Sequence, residues 1–167
     1  MSKTKKLVLI ALFIAIGVLL KSLTTIYPQF TKFSLVFVPC VTGASLLGPI
    51  PGAIIGALTD VISYLIRMDG PYYPGFTLSD LLKGLIYGLF LFKKPKTILN
   101  ITPAILTVII FIDFLINSFW INNLFGMPLK AAFVSKLATL PIYAAIQISV
   151  MYLLFKYLEK PISKYFE

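Results

Sequence analysis

The sequence predicts an all-α integral membrane protein, one domain over residues 1–167 with a bundle of six transmembrane helices. Hydrophobic residues make up 59% of the chain and charged residues 13%, and the mean hydropathy is +0.94, which is too apolar for a soluble domain. The apolar stretches are long enough to cross a bilayer, which takes roughly 20 helical residues. Lysines and arginines gather at the ends of those stretches, as in membrane proteins.

The six helices are delimited by charges and helix breakers. They are predicted at 5–22, 33–49, 51–67, 77–92, 98–122 and 129–157. The first follows a basic start but has no small-residue cleavage site before Lys21, which favours a helix over a signal peptide. The second and third are separated at Gly48–Gly52, because prolines flanked by glycines interrupt a helix. Aromatic or proline-containing segments at 68–76 and 123–128 bound the later helices.

The distribution of basic residues predicts the orientation. With six crossings, one side of the membrane carries nine lysines, and the other carries Lys21, Lys32, Arg67 and Lys130. The more basic side faces the cytoplasm. Both termini are therefore predicted to be cytoplasmic.

The composition excludes most enzyme chemistry. The chain has no histidine and a single cysteine, Cys40, so zinc sites, haem ligation, disulfides and histidine-based triads lack their residues. No glycine-rich phosphate loop is present for ATP, and the lysines do not form the continuous polar face that nucleic acid requires. We expect no cofactor, no metal and no nucleic acid. An intramembrane enzyme would have to use Asp60 or Asp113 alone as the acid or base.

Polar residues in the last two helices fall on helical stripes. Asp113, Asn117 and Trp120 share one face of the fifth helix, and the sixth helix repeats the pattern. The residues of that second stripe are Lys136, Thr139, Tyr143 and Gln147. Such stripes line either a cavity open to the outside or a buried structural network, for example one with an Asp113–Lys136 ion pair. The sequence leaves both interpretations open.

Other charges and small residues suggest contacts between helices. Asp80 and Lys83 are spaced for an ion pair within the fourth helix, whereas Asp60 is isolated and needs a partner from the protein or a ligand. Glycine pairs at 52/56 and 84/88 predict close packing inside the bundle. Ala11 and Ala15 form a similar small face, which fits either internal packing or a partner protein.

Several motifs carry a resemblance to a known family. The segment Gly70–Ser79, reading Gly-Pro-Tyr-Tyr-Pro-Gly-Phe-Thr-Leu-Ser, is followed by Gly84–Phe90. Together they resemble the substrate-binding S components of energy-coupling factor (ECF) vitamin transporters, in particular the folate type. Supporting motifs extend the similarity over nearly the whole chain: Ala11 with Ala15, Phe37–Pro39, Leu47–Pro49, Gly56–Asp60, and Asn117 with Trp120.

The resemblance implies a function in vitamin uptake. It implies a multi-pass protein of a bacterial plasma membrane that captures the vitamin outside, and a face at Ala11 and Ala15 that docks on a transmembrane coupling protein (EcfT). Two ATPase subunits (EcfA and EcfA') would supply the energy, so the chain itself would not be an enzyme.

A folate-type pocket needs rings for stacking, polar groups for the pterin edge and cations for the glutamate tail. The resemblance assigns these roles to three sets of residues: Tyr73, Phe76 and Trp120 for stacking; Thr77, Ser79 and Asn117 for hydrogen bonds; and Lys32, Arg67 and Lys136 for the tail. The alternative for Tyr72 and Tyr73 is an aromatic belt at the membrane interface.

Two alternatives to folate remain. The folate-type pattern has an arginine where Lys32 stands and another basic residue, often arginine, near Lys136, and lysine cannot make a bidentate bond to a carboxylate. The substrate of the same kind of transporter would then be pantothenate or a hydroxymethylpyrimidine. A protein of a different class, a structural membrane subunit, would use its polar stripes only to hold the bundle together.

Overall fold

The computed structural model describes residues 2–24, 34–67 and 71–166, with side chains described as far as residue 157. Six helices lie in these ranges, and no strand does. They are α1 Lys3–Thr24, α2 Phe37–Leu47, α3 Pro49–Arg67, α4 Pro74–Leu91, α5 Ile98–Phe125 and α6 Leu129–Phe166. The predicted all-helical class is confirmed.

Four of the described helices, α1, α3, α5 and α6, are long and apolar enough to cross a membrane. The second helix is shorter than predicted, with 11 residues, about half of what a crossing requires. It ends where the sequence predicts a break, at Gly48, whose φ of 107° favours glycine. The fourth helix begins three residues earlier than predicted, because Pro74 occupies a first-turn position that proline favours.

The fifth helix contains a wide turn that the sequence did not predict. Residues Val108–Ile116 are π-helical, a geometry that is rare and often found at functional sites. Side chains satisfy backbone carbonyls in this segment: the hydroxyl of Ser118 donates to the carbonyl of Phe114, and the ammonium of Lys136 donates to the carbonyl of Asp113. Because Asp113 lies in this segment, the wide turn positions part of the site described below.

Glycines bring α3 and α4 into close contact, as predicted. A Cβ on Gly52 would lie 2.5 Å from the carbonyl oxygen of Gly84. A Cβ on Gly56 would collide with the backbone of Asp80, and one on Gly88 with Pro49. These small residues let two backbones approach, which drives helix association in lipid. The contact brings the polar residues of α3 next to those of α4.

The α1 helix packs through one face and leaves the other uncovered. Ile14, Gly17 and Val18 are buried, whereas Ala11 and Ala15 are exposed in the described structure. The small pair is therefore not used for packing inside this bundle.

Candidate functional site

A partly open cavity of about 800 Å³ lies within the bundle. The sequence predicts a cavity lined by the polar stripes of the last two helices, but all six described helices contribute residues to its wall. One end is formed where α3 ends and α4 begins, by Arg67 together with Tyr72 and Tyr73. The wall also includes Lys21, Asp60, Tyr64, Phe76, Asp80, Lys83, Tyr87, Asp113, Asn117, Phe125, Lys136, Tyr143 and Gln147.

Five charged side chains form an alternating chain along the cavity wall, which we call the ionic ladder. Lys21 of α1 lies 2.5 Å from Asp60 of α3 and 3.0 Å from Asp80 of α4. Lys83 lies 3.1 Å from Asp80 and 2.9 Å from Asp113 of α5. The ladder therefore joins four helices, and each of its carboxylates has a lysine partner.

The ionic ladder tests two of the sequence predictions, the ion pair within α4 and the need of Asp60 for a partner. The ion pair between Asp80 and Lys83 within α4 is confirmed. Asp60, predicted to need a partner, has one in Lys21, and it also accepts a hydrogen bond of 2.6 Å from the hydroxyl of Thr77. Several charges sharing opposite partners reduce the cost of ionised groups inside a membrane domain.

The suggested Asp113–Lys136 ion pair does not form. The Lys136 ammonium instead donates to the backbone oxygen of Asp113 at 2.6 Å, because the carboxylate of Asp113 is directed toward Lys83. Among the described residues, no carboxylate lies within ion-pair distance of Lys136. This lysine is 3% exposed and lines the cavity.

The predicted stripes of α5 and α6 both reach the cavity. Asn117 donates through Nδ2 to Asp113 Oδ1 at 3.0 Å, and the Tyr143 hydroxyl donates to the Ser34 carbonyl at 2.9 Å. The amide oxygens of Asn117 and Gln147 are buried and accept no hydrogen bond within the described ranges. Thr139 does not line the cavity, because its hydroxyl turns back to the carbonyl of Ser135.

Aromatic rings surround the open end. Tyr72 packs against Tyr64 with ring centroids 5.0 Å apart, and Tyr73 contacts Phe76 at 5.9 Å and Trp120 at 5.6 Å. All of these rings except Trp120 line the cavity. The four rings at this end of the cavity can stack on a flat ligand.

Three of the predicted site residues lie behind the wall rather than in it. The indole N–H of Trp120 donates to the hydroxyl of Ser79 at 3.1 Å, which leaves Ser79 buried between α4 and α5. The hydroxyl of Thr77 is bonded to Asp60 and lies 2.8 Å from the Tyr72 hydroxyl. These residues support the aromatic mouth from outside the cavity.

The predicted cations at the mouth have different outcomes. Arg67 lines the cavity, and its Nη1 donates to the carbonyl oxygens of Ser22 at 3.0 Å and Lys21 at 3.4 Å. It thereby joins the end of α3 to the end of α1. Lys32 lies outside the described residues.

Sequence reasoning missed several lining residues, most clearly Lys21. A lysine at the end of an apolar helix is typical of a flanking charge, so nothing marked it as a ladder member. The charge count is the signal that could have indicated it. Three aspartates lie inside the predicted helices, but only two lysines, Lys83 and Lys136, were assigned to helix interiors, so one aspartate needed a further cation. Tyr64, Tyr87 and Phe125 were also missed, because an aromatic residue in an apolar helix has no distinguishing pattern.

Comparisons with known proteins agree with this architecture. A model of the family described as ECF transporter, substrate-specific component, matches residues 5–164. A folate transporter, FolT, of Clostridium novyi is 27% identical over 152 residues, which cover 91% of this chain and 88% of the relative. FolT of Leuconostoc mesenteroides is 31% identical over 119 residues, covering 71% of this chain and 64% of the relative.

A solved structure shows the same fold. The crystal structure of FolT bound with folic acid matches with a TM-score of 0.85 and 31% sequence identity, covering 90% of this chain and 92% of that one. The family match spans nearly all of the sequence, and the helices form the membrane bundle that such a protein requires. The chain therefore belongs to the family of substrate-specific components of ECF transporters.

Proposed function

We propose that this chain binds folate or a closely related pterin for an ECF-type, ATP-driven importer in the plasma membrane of a bacterium. The observation that carries the proposal is the partly open cavity of about 800 Å³, lined by rings at its mouth and by charged and amide groups within. Its volume lies within the range of small-molecule sites. The relatives named above are folate transporters, which supports the choice of ligand.

The charge of the cavity suits an anionic vitamin. Four cations and three carboxylates line it, which leaves one net positive charge. Two of the lysines belong to the ladder, whose three carboxylates leave it with one net negative charge. The remaining cations in the lining are Arg67 and Lys136, and Arg67 lies at the mouth. We assign Arg67 to the carboxylates of the glutamate tail, with the tail directed outward.

The rings of Tyr72, Tyr73 and Phe76 suit the flat parts of the same ligand. Offset or tilted contacts between aromatic rings contribute about 0.5–1.5 kcal/mol beyond the burial of area. Trp120, the only tryptophan of the chain, contacts Tyr73. Its fluorescence is therefore a suitable reporter of ligand binding at the mouth.

Titration calorimetry on the purified chain in detergent tests the proposal. We expect saturable heat with folic acid at one molecule per chain, accompanied by a change in tryptophan fluorescence. Pantothenate and 4-amino-5-hydroxymethyl-2-methylpyrimidine serve as the competing vitamins. Saturable heat with either of them, and none with folic acid, would reject folate as the substrate.

Replacing Arg67 by Gln should weaken folic acid binding by about 10- to 100-fold, because a charge-assisted bond to the tail is lost. Glutamine can still donate to the α1 carbonyls that Arg67 contacts, so the helix ends remain joined. The matched ligand is pterin, which has no tail and should bind wild type and variant equally. An equal loss for both ligands would remove Arg67 from the tail site.

The same proposal assigns the exposed alanines of α1 to partner docking. Ala11 and Ala15 lie one turn apart on a face left uncovered by the bundle, and small residues allow a second helix to approach closely in lipid. The partners are a transmembrane coupling protein and two ATPase subunits, with both termini of this chain in the cytoplasm.

A further inference from the structure

The α6 helix is longer than a membrane crossing requires. It runs over the 38 residues Leu129–Phe166, which corresponds to a length of about 57 Å at 1.5 Å per residue. A crossing takes roughly 20 residues, and about 25 when the helix is tilted. The helix therefore continues for about ten residues or more beyond the hydrocarbon core.

The packing of the bundle shows where this surplus begins. Phe155 is 3% exposed and belongs to the same core cluster as Leu91 and Ile101. Leu91 ends α4 and Ile101 lies in the first turn of α5, so this part of the core borders the turn between those helices. Tyr157, two residues further along α6, is 75% exposed. We call residues 156–166 the α6 extension.

The sequence of the α6 extension is amphipathic. In a helical projection at about 100° per residue, its three lysines lie within about 80° of one another. They are Lys156, Lys160 and Lys164. Glu159 and Ser163 complete this polar side. The remaining arc carries apolar and aromatic residues, namely Tyr157, Leu158, Pro161, Ile162, Tyr165 and Phe166. A helix with these two sides is stable at the boundary between water and lipid.

The charges favour an anionic surface as the binding partner of the extension. It carries three lysines and one glutamate, and the turn between α4 and α5 adds the exposed Lys93 and Lys94. The sequence has no acidic residue between positions 81 and 112. Lysines close to the end of a transmembrane helix are attracted to anionic phospholipid headgroups. Because α6 itself crosses the membrane, such a surface lies next to the extension at all times.

We infer that the α6 extension is a membrane-surface helix that binds anionic phospholipid headgroups of the cytoplasmic leaflet through its three lysines. Its apolar side enters the boundary between headgroups and acyl chains. Pro161 suits the bend that this requires, because a proline cannot donate to the carbonyl of residue 157 and weakens the helix there. The inference uses the predicted cytoplasmic orientation and does not depend on which vitamin the cavity binds.

Hydrogen exchange measured by mass spectrometry on the full chain in nanodiscs tests the inference. The two lipid compositions are phosphatidylcholine, and phosphatidylcholine with about 30% phosphatidylglycerol to supply the anionic headgroups. We expect amides in 158–166 to exchange at least about tenfold more slowly with phosphatidylglycerol. Salt at about 1 M should abolish the difference, because it screens charges beyond about 3 Å. Amides of α3 should exchange equally in both lipids and report that the chain is folded.

The decisive variant replaces the three lysines of the extension by glutamine, which forms helices about as well as lysine. It is Lys156→Gln/Lys160→Gln/Lys164→Gln. The effect of phosphatidylglycerol on exchange should fall below about threefold, because the attraction to the headgroups is lost. Exchange in pure phosphatidylcholine should change little.

A matched control removes the same number of charges from the exposed start of α1, on the side also predicted to be cytoplasmic. It is Lys3→Gln/Lys5→Gln/Lys6→Gln, and it should preserve the lipid effect. A further variant, Ile162→Ser/Phe166→Ser, weakens the apolar side of the extension. It should speed exchange of 158–166 in both lipid compositions.

Three results would overturn the inference. The first is equal exchange of 158–166 by wild type in the two lipid compositions. The second is an unchanged lipid effect in the folded glutamine variant of the extension, or an equal loss in the α1 control. The third is protection that appears only after the coupling protein and ATPases are added, which would assign the extension to a protein partner. The measurement contains no folic acid, so none of these results bears on the proposed substrate.

Discussion

Replacing Lys21 by Met is expected to lower the free energy of unfolding by about 3 kcal/mol, because Asp60 then loses its cation. Asp80 retains Lys83, but Asp60 keeps only the hydroxyl of Thr77 among its described partners. The expected loss is at the lower end for a broken buried pair, since these side chains are 11–20% exposed. Methionine preserves the apolar length of the lysine, so packing changes little. Reversible unfolding in mixed detergent micelles measures the effect.

Two controls separate the ladder from a general effect of charge. Lys130→Met removes an exposed lysine and should leave stability within about 0.5 kcal/mol. The double variant Lys21→Met/Asp60→Asn removes both charges and should recover much of the loss, because no unpaired carboxylate remains. A single Lys21→Met variant as stable as wild type would show that the ladder does not stabilise the fold.

The double variant Ala11→Leu/Ala15→Leu is expected to reduce co-purification of the coupling protein and ATPases at least tenfold, with uptake falling in parallel. Leucine is apolar and a good helix former, so α1 itself should persist. Its larger side chains prevent the close approach that small residues allow in lipid. Binding of folic acid by the isolated chain should not change, because neither alanine lines the cavity.

The matched control for docking is Ala138→Leu/Ala145→Leu. Both positions are exposed on α6, so the same increase in side-chain size falls on a different surface. This control should retain its partners. Normal recovery of the partners by the α1 variant, or an equal loss in both variants, would contradict docking through Ala11 and Ala15.

The sequence predicted the helices because their signals are local. Apolar length, flanking charges and prolines located all six elements, and Gly48 ended the second where expected. The shortness of that helix was less visible, because 33–49 contains no charged residue and residues Ser34–Val36 contain no breaker. The wide turn in α5 accepts a hydrogen bond from another helix, from Lys136 to the backbone oxygen of Asp113, and no local sequence pattern indicates it.

The site was only partly predictable for a related reason. Helical spacing correctly placed Asp113 and Asn117 on one face, and Lys136 with Tyr143 on another, and all four line the cavity. Spacing does not say which charges pair between helices. Spacing therefore could not predict that Asp113 pairs with Lys83 rather than with Lys136. Trp120 donates a hydrogen bond to Ser79, 41 positions away in the sequence. Because they bond to each other, these two predicted ligand contacts instead support the residues at the mouth.

We expect one folate-type molecule to occupy the cavity. Mass spectrometry of whatever small molecule remains bound after gentle extraction of the chain in detergent tests this most directly. We expect the mass of a folate, near one molecule per chain, with much lower occupancy in Arg67→Gln than in the Lys130→Met control. Recovery of pantothenate or a hydroxymethylpyrimidine at that stoichiometry would show that the cavity binds a different vitamin.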